Sequence, residues 1–149
     1  MKRPTICAAF AVSAFALSAC SGNNTAHSAP TLGPTGAPMS NGQAIFQTGR
    51  DLTGHQISSV PPPMRPSCAA CHNANGSGGV HLPGGAVSAD LRYDALVNGQ
   101  KTPYTLALLQ RAITTGIDNQ GQKLSPVMPR WKMSPKDLHD VAQYVLTLH

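Results

Sequence analysis

With 149 residues, 41% of them hydrophobic and 11% charged, the chain has room for one modest domain once its ends are discounted. Its formal charge is +5, yet the lysines and arginines gather into no run and few aromatics interleave with them, which excludes a nucleic-acid-binding surface.

Lys2 and Arg3 open the chain with positive charge, Ile6 through Leu17 is a short apolar run, and Leu17-Ser18-Ala19-Cys20 closes it. These are the parts of an export signal, expected over residues 1–19. The run is too short to remain as a membrane-spanning helix. Its last four residues resemble the lipobox of bacterial lipoproteins, in which the cysteine is lipidated and becomes the mature first residue. That resemblance implies a lipid on Cys20. The alternative is cleavage after a small residue, which would leave Cys20 as an odd thiol in an oxidising compartment. Cleavage would also remove Cys7 with the signal. Without Lys2 and Arg3, nine of the 11 basic residues face 6 acidic ones, a formal +3.

Residues 20–40, rich in Gly, Pro, Ser, Thr and Ala and free of Asp, Glu, Lys and Arg, cannot bury a core and read as a tether behind Cys20. As a coil, such a segment has a root-mean-square span of roughly 25 Å. The folded domain is expected over residues 41–149. Gly42 to Gln47 predicts a short helix capped by Ser40 or Asn41 and stopped by Gly49. Gly42 four residues ahead of Phe46 suggests that another helix passes close at the glycine. Arg50 to Ser67 reads as a long loop, because Pro61-Pro62-Pro63 and Pro66 forbid regular helix or central strand. Its place just before the next motif suggests a cover over whatever that motif holds.

Cys68-Ala69-Ala70-Cys71-His72 is the pattern that fastens a c-type heme. Two intervening residues let both thiols face the macrocycle from one helical turn, where they add across its vinyl groups. His72 then falls beneath the iron as its axial ligand. Half of a zinc site is the first rival, but no second close pair of Cys or His follows at the required spacing. A redox dithiol would need a βαβ context that this Gly- and Pro-rich chain does not show. A disulfide is the third alternative, and the trailing His favours heme over all three. A bound porphyrin also fits the low aromatic content of 5%, since it supplies flat apolar surface of its own.

Beyond the motif, Asn75 to Gly79 is turn chemistry, and Asp90 to Asn98 is consistent with a short helix. A clearer helix is predicted from Thr102, as N-cap, and Pro103, as first residue, to Thr115, with Gly116 ending it. Leu106, Leu109 and Ile113 form its apolar stripe. The last helix is the best specified. Ser134 caps it, Pro135 is first inside, Asp137 suits its positive end, and Met133 with Leu138 form a hydrophobic staple. Its face of Leu138, Val141, Ala142 and Val145 should pack on the first helix, with Tyr144 near Gly42 and Phe46.

Five side chains could bind iron opposite His72: Met39, Met64, Met128, Met133 and His81. Met39 belongs to the tether, Met133 to the staple, and His81 lies only nine residues beyond His72 on the segment leaving its side. Met128, held between Pro126 and Pro129 in a helix-free stretch, is the assignment, with Met64 in reserve.

At this point the sequence resembles class I monoheme c-type cytochromes of bacterial periplasms, over roughly residues 41–149. Gly42 and Phe46, Cys68-Ala69-Ala70-Cys71-His72, Met128-Pro129-Arg130-Trp131 and Val141-Ala142-Gln143-Tyr144-Val145 carry the resemblance. It implies an all-α cytochrome c fold around one covalent heme c. It also implies Met128 opposite His72, and one-electron transfer through an exposed heme edge rather than enzyme chemistry. In the family a proline carbonyl often accepts the second ring hydrogen of the axial histidine, a role that would fall to Pro83. Asn73 departs from the pattern, since many relatives carry Gly after the histidine.

The partners implied are redox proteins, with the chain lipid-anchored in the periplasm. Ser21 rather than Asp behind Cys20 resembles the outer-membrane pattern. Arg65, Lys123, Arg130 and Lys132 flank the segments expected to rim the crevice and suggest a weakly basic docking face, against the alternative of scattered solvated charges. The alternatives to a free carrier are a cytochrome subunit of a membrane dehydrogenase or of a terminal oxidase or reductase complex. A five-coordinate heme enzyme or sensor would require Met128 to leave the iron open.

Overall fold

The computed structural model describes residues 36–149, so the expected export signal over residues 1–19, Cys7, Cys20 and most of the expected tether lie outside the described residues. Helix α1 spans Asn41–Thr48. It begins where the Ser40 hydroxyl accepts the Gln43 N–H at 3.1 Å, satisfying one of the free donors of the first turn. It stops at Gly49, whose φ of +72° only glycine adopts without strain.

The stretch expected as a loop over residues 50–67 contains the short strand β1, Ser58–Val60, antiparallel to β2, Arg130–Lys132, with Ser59 opposite Trp131. The all-α expectation is therefore met only in part: among the described residues, several short helices are joined by a two-stranded ribbon. β1 ends where Pro61 removes the next ladder donor, so the prolines set its length without abolishing it.

Helix α2, Ala69–His72, is a single turn. Asp94–Asn98 forms a π-helical turn within the predicted 90–98 helix. Helix α3 runs Leu106–Thr115 and is capped by Thr105, whose hydroxyl accepts the Leu108 N–H at 3.3 Å, and not by Thr102. The backbone of residues 102–104 is engaged elsewhere. Thr102 accepts from Asn119 Nδ2 at 2.5 Å and Tyr104 N–H donates to Leu96 O at 3.0 Å, so Pro103 stays outside the helix. Gly116 ends α3 as expected, at φ +69°.

Helix α4, Pro135–Val145, begins as the sequence predicts. The Ser134 hydroxyl accepts the Asp137 N–H at 3.1 Å and donates to its carboxylate at 2.7 Å. It crosses α1 at Gly42, where a Cβ would stand 2.0 Å from the Asp140 carbonyl oxygen and 2.9 Å from Tyr144 Cβ. The rings of Phe46 and Tyr144 then meet at 5.5 Å and 57°. Asn41 Nδ2 donates to Asp137 at 2.9 Å and to Asp140 at 2.8 Å, locking the same crossing from its polar side. Ile45, Phe46, Val141, Ala142 and Val145 form the core between the two helices, and Leu109, Ile113 and Trp131 continue it toward α2.

Candidate functional site

Serine and backbone geometry set the attachment turn. Ser67, buried, accepts the Ala70 N–H at 3.2 Å, and Cys68 O accepts from Cys71 N–H at 3.1 Å and His72 N–H at 2.8 Å. Both thiols and the imidazole are thereby displayed from one helical turn. Cys68 and Cys71 are free thiols, so the disulfide reading fails in this structure. Burial pushes the Cys68 thiol up to about 12, opposite to the depressed value that a nucleophilic redox dithiol needs.

His72 is fixed by its backbone neighbour. Its Nδ1 lies 2.8 Å from Ala89 O. A carbonyl only accepts, so Nδ1 carries the hydrogen and Nε2 keeps a free lone pair, the tautomer a metal ligand needs. Burial lowers the affinity of the ring for a second proton, and the Ala89 carbonyl opposes that only in part. The acceptor is Ala89 and not Pro83. Pro83 opens an exposed 3-10 turn over Pro83–Gly85, and six residues further on the chain returns past the histidine. Gly78 permits that return, since a Cβ there would stand 2.3 Å from Ala89 O.

Cys68, Cys71 and His72 open on a cavity of about 470 Å³. That is within the range of about 300–1,000 Å³ usual for cofactor sites. Its walls are largely apolar: Leu96, Leu109, Ile113 and Trp131 are both core residues and cavity lining. Two bondable thiols, an imidazole with a free lone pair and an apolar chamber of this size together fit a heme c. Met128 lines the same cavity. It is carried by the turn Ser125–Met128, closed by Met128 N–H to Ser125 O at 3.2 Å.

Of the other candidates, Met64 stands at the rim, 61% exposed, and His81 is exposed outside the lining. Met133 departs from expectation. It packs against the core as its staple role requires, yet it also lines the cavity. A staple residue lies just outside its helix, and its long flexible side chain can satisfy both neighbours.

Met64, Val127 and Pro129 line both this cavity and an adjoining groove of about 250 Å³ formed with Pro61, Pro62, Pro83 and Pro126. These three residues join a proline-rich groove to the chamber. Of the four basic residues expected around it, Arg65, Lys123 and Lys132 are exposed. Arg130 is half-buried and donates to backbone carbonyls instead. Sequence reasoning also missed Asn119 and Gln100, which are hydrogen-bonded to each other at 3.3 Å and line the cavity. Compared with known families, residues 39–149 match the family model described as Cytochrome c. No curated protein and no solved structure matches the chain.

Proposed function

Because the chain belongs to the cytochrome c family, we propose that it is a one-electron carrier whose heme c would be held by Cys68, Cys71 and His72, with Met128 as the second iron ligand. Members of the family bind heme c covalently, and the Cys68 and Cys71 spacing fits that bond. The observation that carries the ligand assignment is that Met128 shares one cavity with Cys68, Cys71 and His72, whose Nδ1 is already committed to Ala89.

Heme supplies the one-electron couple. Cys68 and Cys71 would hold it by thioether bonds, and Ala89 O orients His72 and would raise its basicity as a ligand. The Met128 thioether stabilises the reduced state relative to a second imidazole and so raises the potential. Leu96, Leu109 and Trp131 keep water and its dielectric away from the site. No proton donor is required.

A far-red sulfur-to-iron charge-transfer band of the ferric protein tests the ligand set. Met128→Ala should abolish it, while Met64→Ala and Met133→Ala keep it. Loss in Met133→Ala with retention in Met128→Ala would transfer the ligand to Met133.

The anchor belongs to the same reading. Cys20 carries lipid and residues 20–40 tether the domain in the periplasm, at the outer membrane by the Ser21 pattern. Metabolic labelling with palmitate that fails to mark the wild-type chain, or marks Cys20→Ala equally, would refute it. Lys123 and Lys132, with Arg65, which stays exposed while Nη1 donates to Ala70 O at 2.7 Å, would steer an acidic redox partner, and transfer rates to it should fall as salt rises.

A further inference from the structure

The guanidinium of Arg130 is turned back into the fold. Nη1 donates to Met128 O at 2.5 Å, and Nη2 to Leu124 O at 3.1 Å and Ser125 O at 3.4 Å. Three carbonyls of one five-residue segment therefore converge on one planar cation. The other side of that cation rests on the end of α3. A Cβ built on Gly116 would lie 1.9 Å from Nε and 2.0 Å from Cζ, so the guanidinium lies where any other side chain at position 116 would begin. Leu124 N–H in turn donates to Gly116 O at 2.8 Å. The Arg130 backbone is paired with Val60 in the ribbon.

We propose that Arg130 is a positioning residue that clamps the Leu124–Met128 segment between α3 and the ribbon, fixing the Met128 thioether over the cavity. The proposal rests on the reading of Met128 as the iron ligand. Segment 124–128 has no helix or ladder of its own, and Pro126 within it and Pro129 just after it supply no N–H donors. A fork of fixed N–H directions can hold three carbonyls at once, whereas an ammonium is a single point of charge. Gly116 is then needed for two reasons, its left-handed φ and the space above it.

The test uses heme-loaded protein and exogenous imidazole, which competes with Met128 for ferric iron. Arg130→Met should bind imidazole about tenfold more tightly than wild type, as expected if the lost hydrogen bonds to a charged group had held the ligand in place. It should also weaken the far-red band. Arg130→Lys, which retains the charge and fewer directed donors, should fall between the two, and it serves alone should the methionine variant fail to accumulate. Unchanged imidazole affinity with a lowered melting temperature, in whichever variant is obtained, would mean that Arg130 is merely structural and would overturn the proposal. If Met128→Ala leaves the far-red band intact, the ligand reading itself has failed. If that variant loses the band while the Arg130 variants keep it at full strength, only the clamp is wrong.

Discussion

Asn73 ends α2 at φ +66° and ψ 160°, a conformation essentially confined to glycine. Its side chain explains why it is tolerated: Nδ2 donates to Ser77 Oγ at 3.0 Å and to Gly78 O at 2.7 Å. Strain of this kind costs about 1–3 kcal/mol. Two hydrogen bonds return about 0.5–1.5 kcal/mol each, so the terms nearly cancel. Asn73→Gly should therefore change holoprotein stability by less than about 1 kcal/mol, since it relieves the strain and loses the bonds. Asn73→Ala keeps the strain and loses the bonds, and should cost about 1–3 kcal/mol in denaturant unfolding. Equal stabilities for the two variants would show that the backbone is not strained there. The departure from glycine after His72 was legible in the sequence, whereas its compensation by Ser77 and Gly78 was not. Ala89 was hidden for a related reason: it acts through its carbonyl, and no side chain advertises it. The nearest signal was Gly78, whose bare Cα lets that carbonyl approach His72.

Between elements, the contact of α1 with α4 decides the fold, and it was the most legible from sequence. A glycine one turn before an aromatic, a Ser-Pro start and an apolar stripe are all local signals, and helices are built from local contacts. The β1–β2 ribbon was invisible because three-residue strands some seventy positions apart carry no periodicity. The start of α3 was misplaced because Thr102-Pro103 and Thr105 both make good starts, and the choice is made by Leu96 and Asn119 from outside the helix. The crossing itself yields two predictions. Gly42→Ala drives a methyl into the Asp140 carbonyl, a backbone atom that cannot step aside unless the helices part, and should cost about 3 kcal/mol or more by thermal unfolding. Asn41→Ala removes two carboxylate partners. Burial works to raise Asp140, but hydrogen bonds from Lys136 and Asn41 overcome it and leave the carboxyl below its ordinary 3.8. A carboxyl depressed in the folded state adds stability that is present above its unfolded pKa and is lost as pH falls through the folded one. Asn41→Ala should raise the Asp140 pKa, so that this contribution is smaller and acid destabilisation begins at higher pH. An NMR titration of Asp140 unchanged by the substitution would contradict that coupling.

For the molecule as a whole, the cavity and the core are nearly the same object. Phe46, Leu96, Leu109, Ile113, Trp131, Val141 and Val145, seven of the eleven residues of the hydrophobic cluster, also line the chamber next to Cys68 and His72. Without the cofactor these side chains would face a void of about 470 Å³. At about 24 cal/mol per Å³ of cavity, that void would cost roughly 11 kcal/mol. The figure is an upper bound, because the chamber is open at its mouth and water or collapse can fill part of it. It is nonetheless comparable to the whole stability of an ordinary domain, about 5–15 kcal/mol. The four α-helices among the described residues are short, 8, 4, 10 and 11 residues, and so depend on tertiary packing rather than on their own propensity. Protein produced without heme attachment, or as Cys68→Ala with Cys71→Ala, should therefore keep at most residual helical circular dichroism. It should show no cooperative melting transition and no dispersed NMR spectrum, while the heme-loaded chain shows both. Cooperative unfolding of the heme-free chain would mean that α1 and α4, with Ile45 and Ala142 between them, suffice as a core, and that the chamber is an appendage to the fold rather than its centre.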